Sequence, residues 1–324
     1  MLTQSQHSLS ASQAEVEAIK EKLLEYKEVF AKFPANTQRA YNSDMKHFLK
    51  WCNQNHMEAF KPNLDHNKFI LKSYFSSQIN EELSLATITR RKAPLAKLLK
   101  VMAWPSPFDD VLFKDWLRGS LRDRPAFQEQ ATALTHDLLS VINSKLDESC
   151  PIQLRDKLML NIMFDGLLRA SELCALQCTN ISFRKKTLFL AVSKTDKDGR
   201  GTYRPLSNTS LRLIDLWKTK FNITGGYLLR SLTPSRTVTG KGMQYNSVYE
   251  AYKRFSILVN IDEAMFSTHS ARVGGAVTLA ENNCSLLDIQ RAGGWKTSTM
   301  PARYTEQTSV HSVGMGAIMK KLKR

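Results

Sequence analysis

Acidic residues are scarce in this 324-residue chain: 30 Asp and Glu stand against 46 Lys and Arg, a formal net charge of +16. That imbalance excludes an acidic, self-solvating composition and suits a polyanionic partner. Cysteine is scarce as well. Cys52, Cys150, Cys174, Cys178 and Cys284 form no paired spacing typical of a disulfide framework or a zinc site, so reduced, cytoplasmic thiols are expected. No run of about 18 apolar residues occurs, which argues against a membrane-crossing helix. The N-terminal MLTQSQHSLSASQAEVEA has neither the basic start nor the apolar core of a secretory signal. Nor does a carboxylate cluster with magnesium-site spacing stand out, and no cofactor or metal is expected.

What is present is helical periodicity in two blocks, enough chain for two cores. Residues 1–12, polar and serine-rich, are expected to form a disordered arm. Residues 13–124 carry five helical patterns and no strand signal. Val16, Ile19, Leu23, Tyr26 and Phe30 recur at three or four, as do Tyr41, Met45, Phe48, Leu49 and Cys52. PNLDHNKFILKSYF predicts a third helix capped by Asp65. SLATITRRKAPLAKLLKV predicts a fourth starting near Ser84 or Thr87, with Pro94 kinking it or sitting in its first turn. DDVLFKDWLRGS predicts a fifth, packed through Val111, Leu112, Trp116 and Leu117. Residues 125–133 contain Pro125 and no apolar period, and mark a linker.

Residues 134–324 form the second expected domain. LRDKLMLNIMFDGLL is apolar enough to lie at the centre of a core, and it leads to Arg169 and a short helix with Ser171 as cap and Glu172 in the first turn. ISF, TLFLAV and TYRPL, separated by polar turns, predict a three-stranded antiparallel sheet. PSRTVTGKG is expected to be a basic loop and QYNSVYEAYKRFSILVN a helix. HSARVGGAVTLAENN opens a helix at about Ser270 with Thr268 near its cap, and Gly274 and Gly275 predict a close approach by another segment. The expected fold class is mainly α: a helical N-terminal domain and a mostly helical second domain with a small three-stranded antiparallel sheet.

The stretch from His269 to Tyr304 concentrates the chemistry. His269 and Arg272 share one side of a helical turn, Trp295 follows a glycine pair, and Tyr304 lies nine residues further on. A phenol attacks a phosphodiester if a base helps remove its proton and fixed cations hold the phosphate. Arg169 is the clearest cation upstream, because a guanidinium holds two phosphate oxygens as a planar fork.

The order Arg169, lysine, His269-x-x-Arg272, Trp295, Tyr304 resembles the tyrosine recombinase (phage integrase) family, and HSARVG and GGW are similar in wording to its Cre-like members. The resemblance implies a site-specific DNA recombinase that works through a 3′-phosphotyrosyl link and a Holliday junction without metal or ATP. It makes Tyr304 the nucleophile, with Arg169, Arg272, His269 and Trp295 around the phosphate and Glu172 orienting a histidine or arginine. The general-acid lysine belongs in the hairpin before TYRPL, where SKT matches best and selects Lys194, with Lys197 as the alternative. Many members carry histidine where Trp295 stands. An indole donates one hydrogen bond but cannot serve as an acid, so proton delivery falls on the lysine.

The same resemblance implies that residues 13–124 are a core-binding (SAM-like) domain, the two domains clamping a double-stranded DNA site with inverted repeats. It also implies a mostly monomeric protein in free solution that forms a homotetramer on two sites, joined by an exchanged helix at about 309–322. The expected location is the bacterial cytoplasm, on nucleoid or plasmid DNA. Candidate DNA contacts are Arg39, Lys46, Arg90, Arg91, Lys92, Arg236, Lys241 and Lys253. A type IB topoisomerase would use the same chemistry on one duplex; the small size and helical N-terminal domain argue against it.

Overall fold

The computed structural model describes residues 2–124, 130–191, 201–260, 266–309 and 319, with side chains from Val16 to Glu306 and at Met319. The chain divides into two compact units, Met1–Glu129 and Gln130–Arg324.

The first unit is five helices: α1 (Leu2–Ala31), α2 (Ala35–Gln54), α3 (Leu64–Asn80), α4 (Leu85–Val101) and α5 (Val111–Ser120). Helix α1 runs through the stretch expected as a disordered arm, since neither proline nor glycine interrupts it. Phe48, Leu71, Tyr74, Phe75, Leu95 and Leu99 form the centre of the core. Two local expectations change and a third is narrowed. The side chain capping α3 is Asn63, which accepts from the His66 amide at 2.8 Å, and Asp65 lies in the first turn. Of the two starts open for α4, Ser84 is the cap, its hydroxyl accepting from the Thr87 amide, and of the two places open for Pro94 the first turn falls away, since the helix runs on through it to Val101. Asp110 caps α5 through the Phe113 amide at 2.8 Å, and that phase turns Phe113 and Leu117 inward and leaves Val111 and Leu112 67% and 74% exposed.

In the second unit come α6 (His136–Lys145), α7 (Pro151–Asp165), α8 (Ala170–Cys174), β1 (Ile181–Ser182), β2 (Thr187–Leu190), β3 (Thr202–Pro205), α9 (Asn208–Lys220), β4 (Arg230–Leu232), β5 (Val238–Gly242), α10 (Tyr245–Leu258), α11 (Ser270–Glu281), α12 (Leu286–Gly293) and α13 (Thr299–Ser309). Helix α7 is buried along most of its length, Arg155, Asp156 and Asn161 included, and occupies the centre, packed by α6, α8, α9, α10 and α11. Trp217 of α9 is fully buried and donates its indole N–H to the Leu228 carbonyl at 2.9 Å.

Strands β1, β2 and β3 form the expected antiparallel sheet in that order, with Leu188 opposite Arg204. The segment expected as a loop after Pro234 contains β5, paired with β4 in a second hairpin, because Val238 packs on the core and carries the strand with it.

One feature bears directly on α11. The chain segment Leu134–His136 is laced along a single helix face at positions four apart. The Leu134 amide donates to the Ser270 carbonyl at 3.0 Å, a Cβ on Gly274 would fall on the Leu134 carbonyl, and the His136 amide donates to Thr278 Oγ1 at 3.2 Å. Gly275 likewise leaves the space that Leu167 fills, so both glycines serve the close approach that their pairing predicts.

Among the described residues no helix is long and apolar enough to cross a membrane. No group of three or more His, Cys, Asp or Glu there could hold a metal ion. All five cysteines are free thiols.

Candidate active site

Arg169 is itself the N-cap of α8; Ser171 lies inside the helix. The Glu172 carboxylate accepts from both ends of Arg169, from its backbone N–H at 2.9 Å and from Nη1 at 2.5 Å. A helix start thus fixes the guanidinium of the residue that opens it.

Arg272, on the first turn of α11, is 3% exposed. Its Nη1 donates to the Leu167 carbonyl and its Nη2 to the Gly293 carbonyl at 2.8 Å. Leu167 has φ +49°, a left-handed turn that presents this carbonyl just ahead of Arg169. The Arg272 guanidinium also lies over the Trp295 ring, 4.1 Å from its centroid. Burying a cation costs several kcal/mol. Two charge-assisted hydrogen bonds return about 3–6 kcal/mol and a desolvated cation–π contact about 2, so the guanidinium is held charged without a carboxylate of its own. Burial, reinforced by the Arg169 charge, lowers its pKa to about 10, still protonated at neutral pH.

Gly294, at φ +64°, ends α12 in the left-handed conformation and turns the chain into Trp295. The Trp295 and Tyr304 rings meet edge to face with centroids 5.8 Å apart. Burial raises the Tyr304 pKa, and the Arg272, Arg303 and Arg169 charges oppose that rise. His269 keeps an open face to solvent, yet partial desolvation, together with the Arg272 and Arg169 charges, lowers its pKa below the ordinary histidine value. Thr268 stands next to His269, the N-cap of α11, and its buried hydroxyl lies 3.1 Å from the Tyr245 hydroxyl. Arg169, Glu172, His269, Arg272, Trp295 and Tyr304 therefore come together, while Lys194 and Lys197 lie outside the described residues. So does most of the stretch at about 309–322, including Val313, Met315, Ile318 and Leu322.

The lowered His269 value has a measurable sign. The folded imidazole binds its proton more weakly than the unfolded chain's, so the free protein loses stability as pH falls through the ordinary histidine range and regains it above. By NMR, the His269 ring in free protein is expected to titrate below an exposed histidine, and Arg169→Ala to move the midpoint upward. A wild-type midpoint at or above the ordinary value would contradict this electrostatic account.

The candidate DNA contacts divide by exposure. Arg39, Lys46, Arg90, Arg236 and Lys241 are exposed; Arg91, Lys92 and Lys253 are half-buried. Arg90 pairs with Asp44 at 2.5 Å, while Arg91 donates inward to Gln78 Oε1 at 3.1 Å. Lys92 sits over the Phe108 ring and Lys253 pairs with Glu250. Arg39 donates to Asn36, and Arg236 points to the Cys150 sulfur at 3.8 Å.

One buried cation escapes sequence reasoning. Arg204 is 7% exposed and donates to the carbonyls of Arg291, at 3.0 Å, and Ala292. The available signal was strand alternation, which puts residue 204 on the same face as Leu206.

A mostly helical fold with a small three-stranded antiparallel sheet is the architecture of tyrosine-type DNA recombinases. It is shared with the Tn1549 transposon integrase solved with circular intermediate DNA (TM-score 0.65, 15% identity, covering 94% of this chain and 99% of that one). It is also shared with lambda integrase bound to a core site (TM-score 0.60, 16% identity, 88% and 94% covered). The chain belongs to the phage integrase family, whose model matches residues 132–311, more than half its length, and it is a tyrosine-type site-specific recombinase. It is 25% identical to an integrase/recombinase XerD homolog of Selenomonas ruminantium (85% of this chain, 82% of the relative) and 23% identical to the Cre recombinase of Escherichia phage P1 (84% of each). Identities so close set neither relative apart. The Cre-like wording of the motifs identifies the family and not a branch within it.

Proposed function

We propose that Tyr304 Oη attacks a DNA backbone phosphorus, forming a 3′-phosphotyrosyl bond as the bond to the 5′-oxygen breaks. The observation that carries this reading is the run of contacts from the buried Arg272 guanidinium to the Trp295 ring at 4.1 Å and on to the Tyr304 ring at 5.8 Å. Arg169, held by Glu172, and Arg272, held by two main-chain carbonyls, supply fixed positive charge for the developing pentavalent phosphate. A histidine with a lowered pKa is neutral at neutral pH, which supports His269 as the acceptor of the phenol proton. The Trp295 indole donates a hydrogen bond, and Lys194 delivers the proton to the departing 5′-oxygen.

The phosphotyrosyl bond keeps the energy of the broken phosphodiester, so religation to a 5′-hydroxyl of a partner duplex draws on no nucleotide. Two such exchanges pass through a Holliday junction. The assembly we propose is a homotetramer on two inverted-repeat DNA sites, formed from protein mostly monomeric in free solution, with the exchanged element in the C-terminal stretch.

A duplex nicked beside the cleavage position tests the chemistry, because the short freed strand diffuses away and traps the intermediate. The expected product is protein joined through Tyr304 to a 3′-phosphate, with the free 5′-hydroxyl on the released strand. A link to a 5′-phosphate, or through another tyrosine, would overturn the proposal.

A further inference from the structure

Arg204 is a cation in an unusual place. In the β2–β3 register it stands opposite the buried Leu188, and Leu206 follows on the same inward face. A guanidinium there is costly unless something holds it. Its Nη1 takes the Arg291 and Ala292 carbonyls, two of the last three of α12; the third, Gly293, goes to Arg272. Its Nη2 occupies the space a Cβ on Gly294 would need, and its Nε is buried with no hydrogen-bond partner. No carboxylate pairs with it among the described residues. The exposed carbonyl end of a helix is a partial negative charge, and here two arginines from different elements neutralise it.

We infer that Arg204 is a positioning residue for the strand-cleavage reaction, clamping the C-terminal turn of α12 so that Trp295 stays stacked on Arg272 and beside Tyr304. It does so from β3, the end strand of the three-stranded sheet, so one side chain ties the turn carrying the indole to that sheet. Loosening the clamp leaves the nucleophile and both phosphate-holding arginines in the chain but lets the Trp295 turn drift. A misplacement of about an ångström costs as much as a hundredfold in rate. The inference rests on the proposed role of Tyr304, and the test separates the two.

The variants are Arg204→Met, which keeps the length and removes the charge, and Arg204→Lys, which restores one donor group. Leu188→Ala, on the same face of the sheet, controls for loss of stability. Two readouts are taken: the indole N–H resonance of Trp295, assigned by its loss in Trp295→Phe, and covalent adduct formation on the nicked duplex. Arg204→Met should shift the Trp295 resonance and slow adduct formation roughly ten- to a hundredfold with DNA binding retained. Arg204→Lys should fall between it and the unaltered protein, and Leu188→Ala should leave the resonance in place. If Arg204→Met fails to fold, Arg204→Lys decides alone. An unshifted Trp295 resonance with wild-type adduct formation in the folded variant would sink the inference. A shifted resonance in Arg204→Met, with no adduct formed even by the unaltered protein, would uphold the clamp and count against Tyr304 instead.

Discussion

Replacing Tyr304 by phenylalanine should leave DNA binding intact and abolish the covalent complex, a loss of roughly 10⁶-fold if the phenol is the nucleophile. Phenylalanine keeps the ring that meets the edge of Trp295, so the packing of α13 survives the change. Only the oxygen is lost. The burial that raises the Tyr304 pKa argues that no phenolate waits at neutral pH, and that attack depends on the cations and base around it. The nicked-duplex trap read on a denaturing gel, beside a mobility shift on the intact site, measures both properties. A covalent band from Tyr304→Phe equal to that of the unaltered protein would assign the chemistry to another residue.

Removing Lys194 is expected to slow cleavage by about 10²–10⁴, the range for loss of a general acid. A substrate whose 5′-bridging oxygen is replaced by sulfur should be cut by Lys194→Ala nearly as fast as by the unaltered protein, because a thiolate leaves without needing a proton. Trp295 sharpens the expectation, since an indole cannot share the proton-delivery role that a histidine could take at that position. Rescue by sulfur in Lys197→Ala, and its absence in Lys194→Ala, would move the acid three residues along the chain.

Much of the fold is legible in the sequence, and the reasons differ by element. Helix α7 could be read because LMLNIMF is a dense apolar run, and the sheet because β1, β2 and β3 are short apolar runs between polar turns. The exposed Val111 and Leu112 could not, because the phase of α5 is set by which residue caps it, and Asp110 puts Phe113 inward. Strand β5 hid behind two glycines and a lysine. At the site, residue types and order pointed to Arg169, Glu172, His269, Arg272, Trp295 and Tyr304, but not to what holds Arg272. The carbonyls that fix Arg272 belong to two turns remote in sequence, and alternation along β3 turns Arg204 inward without saying that its guanidinium meets the end of α12.

The contacts of Leu134 and His136 with Ser270, Gly274 and Thr278 have a mechanical meaning. Residue 134 lies at the entrance to the second unit, and its amide is bonded to the carbonyl of Ser270, between His269 and Arg272. With Gly274 seated against the same backbone, no compliant side chain lies between to absorb a displacement. The entering segment and the turn that presents the histidine and the arginine are thus seated backbone against backbone, and a side chain at position 274 would have to force them apart.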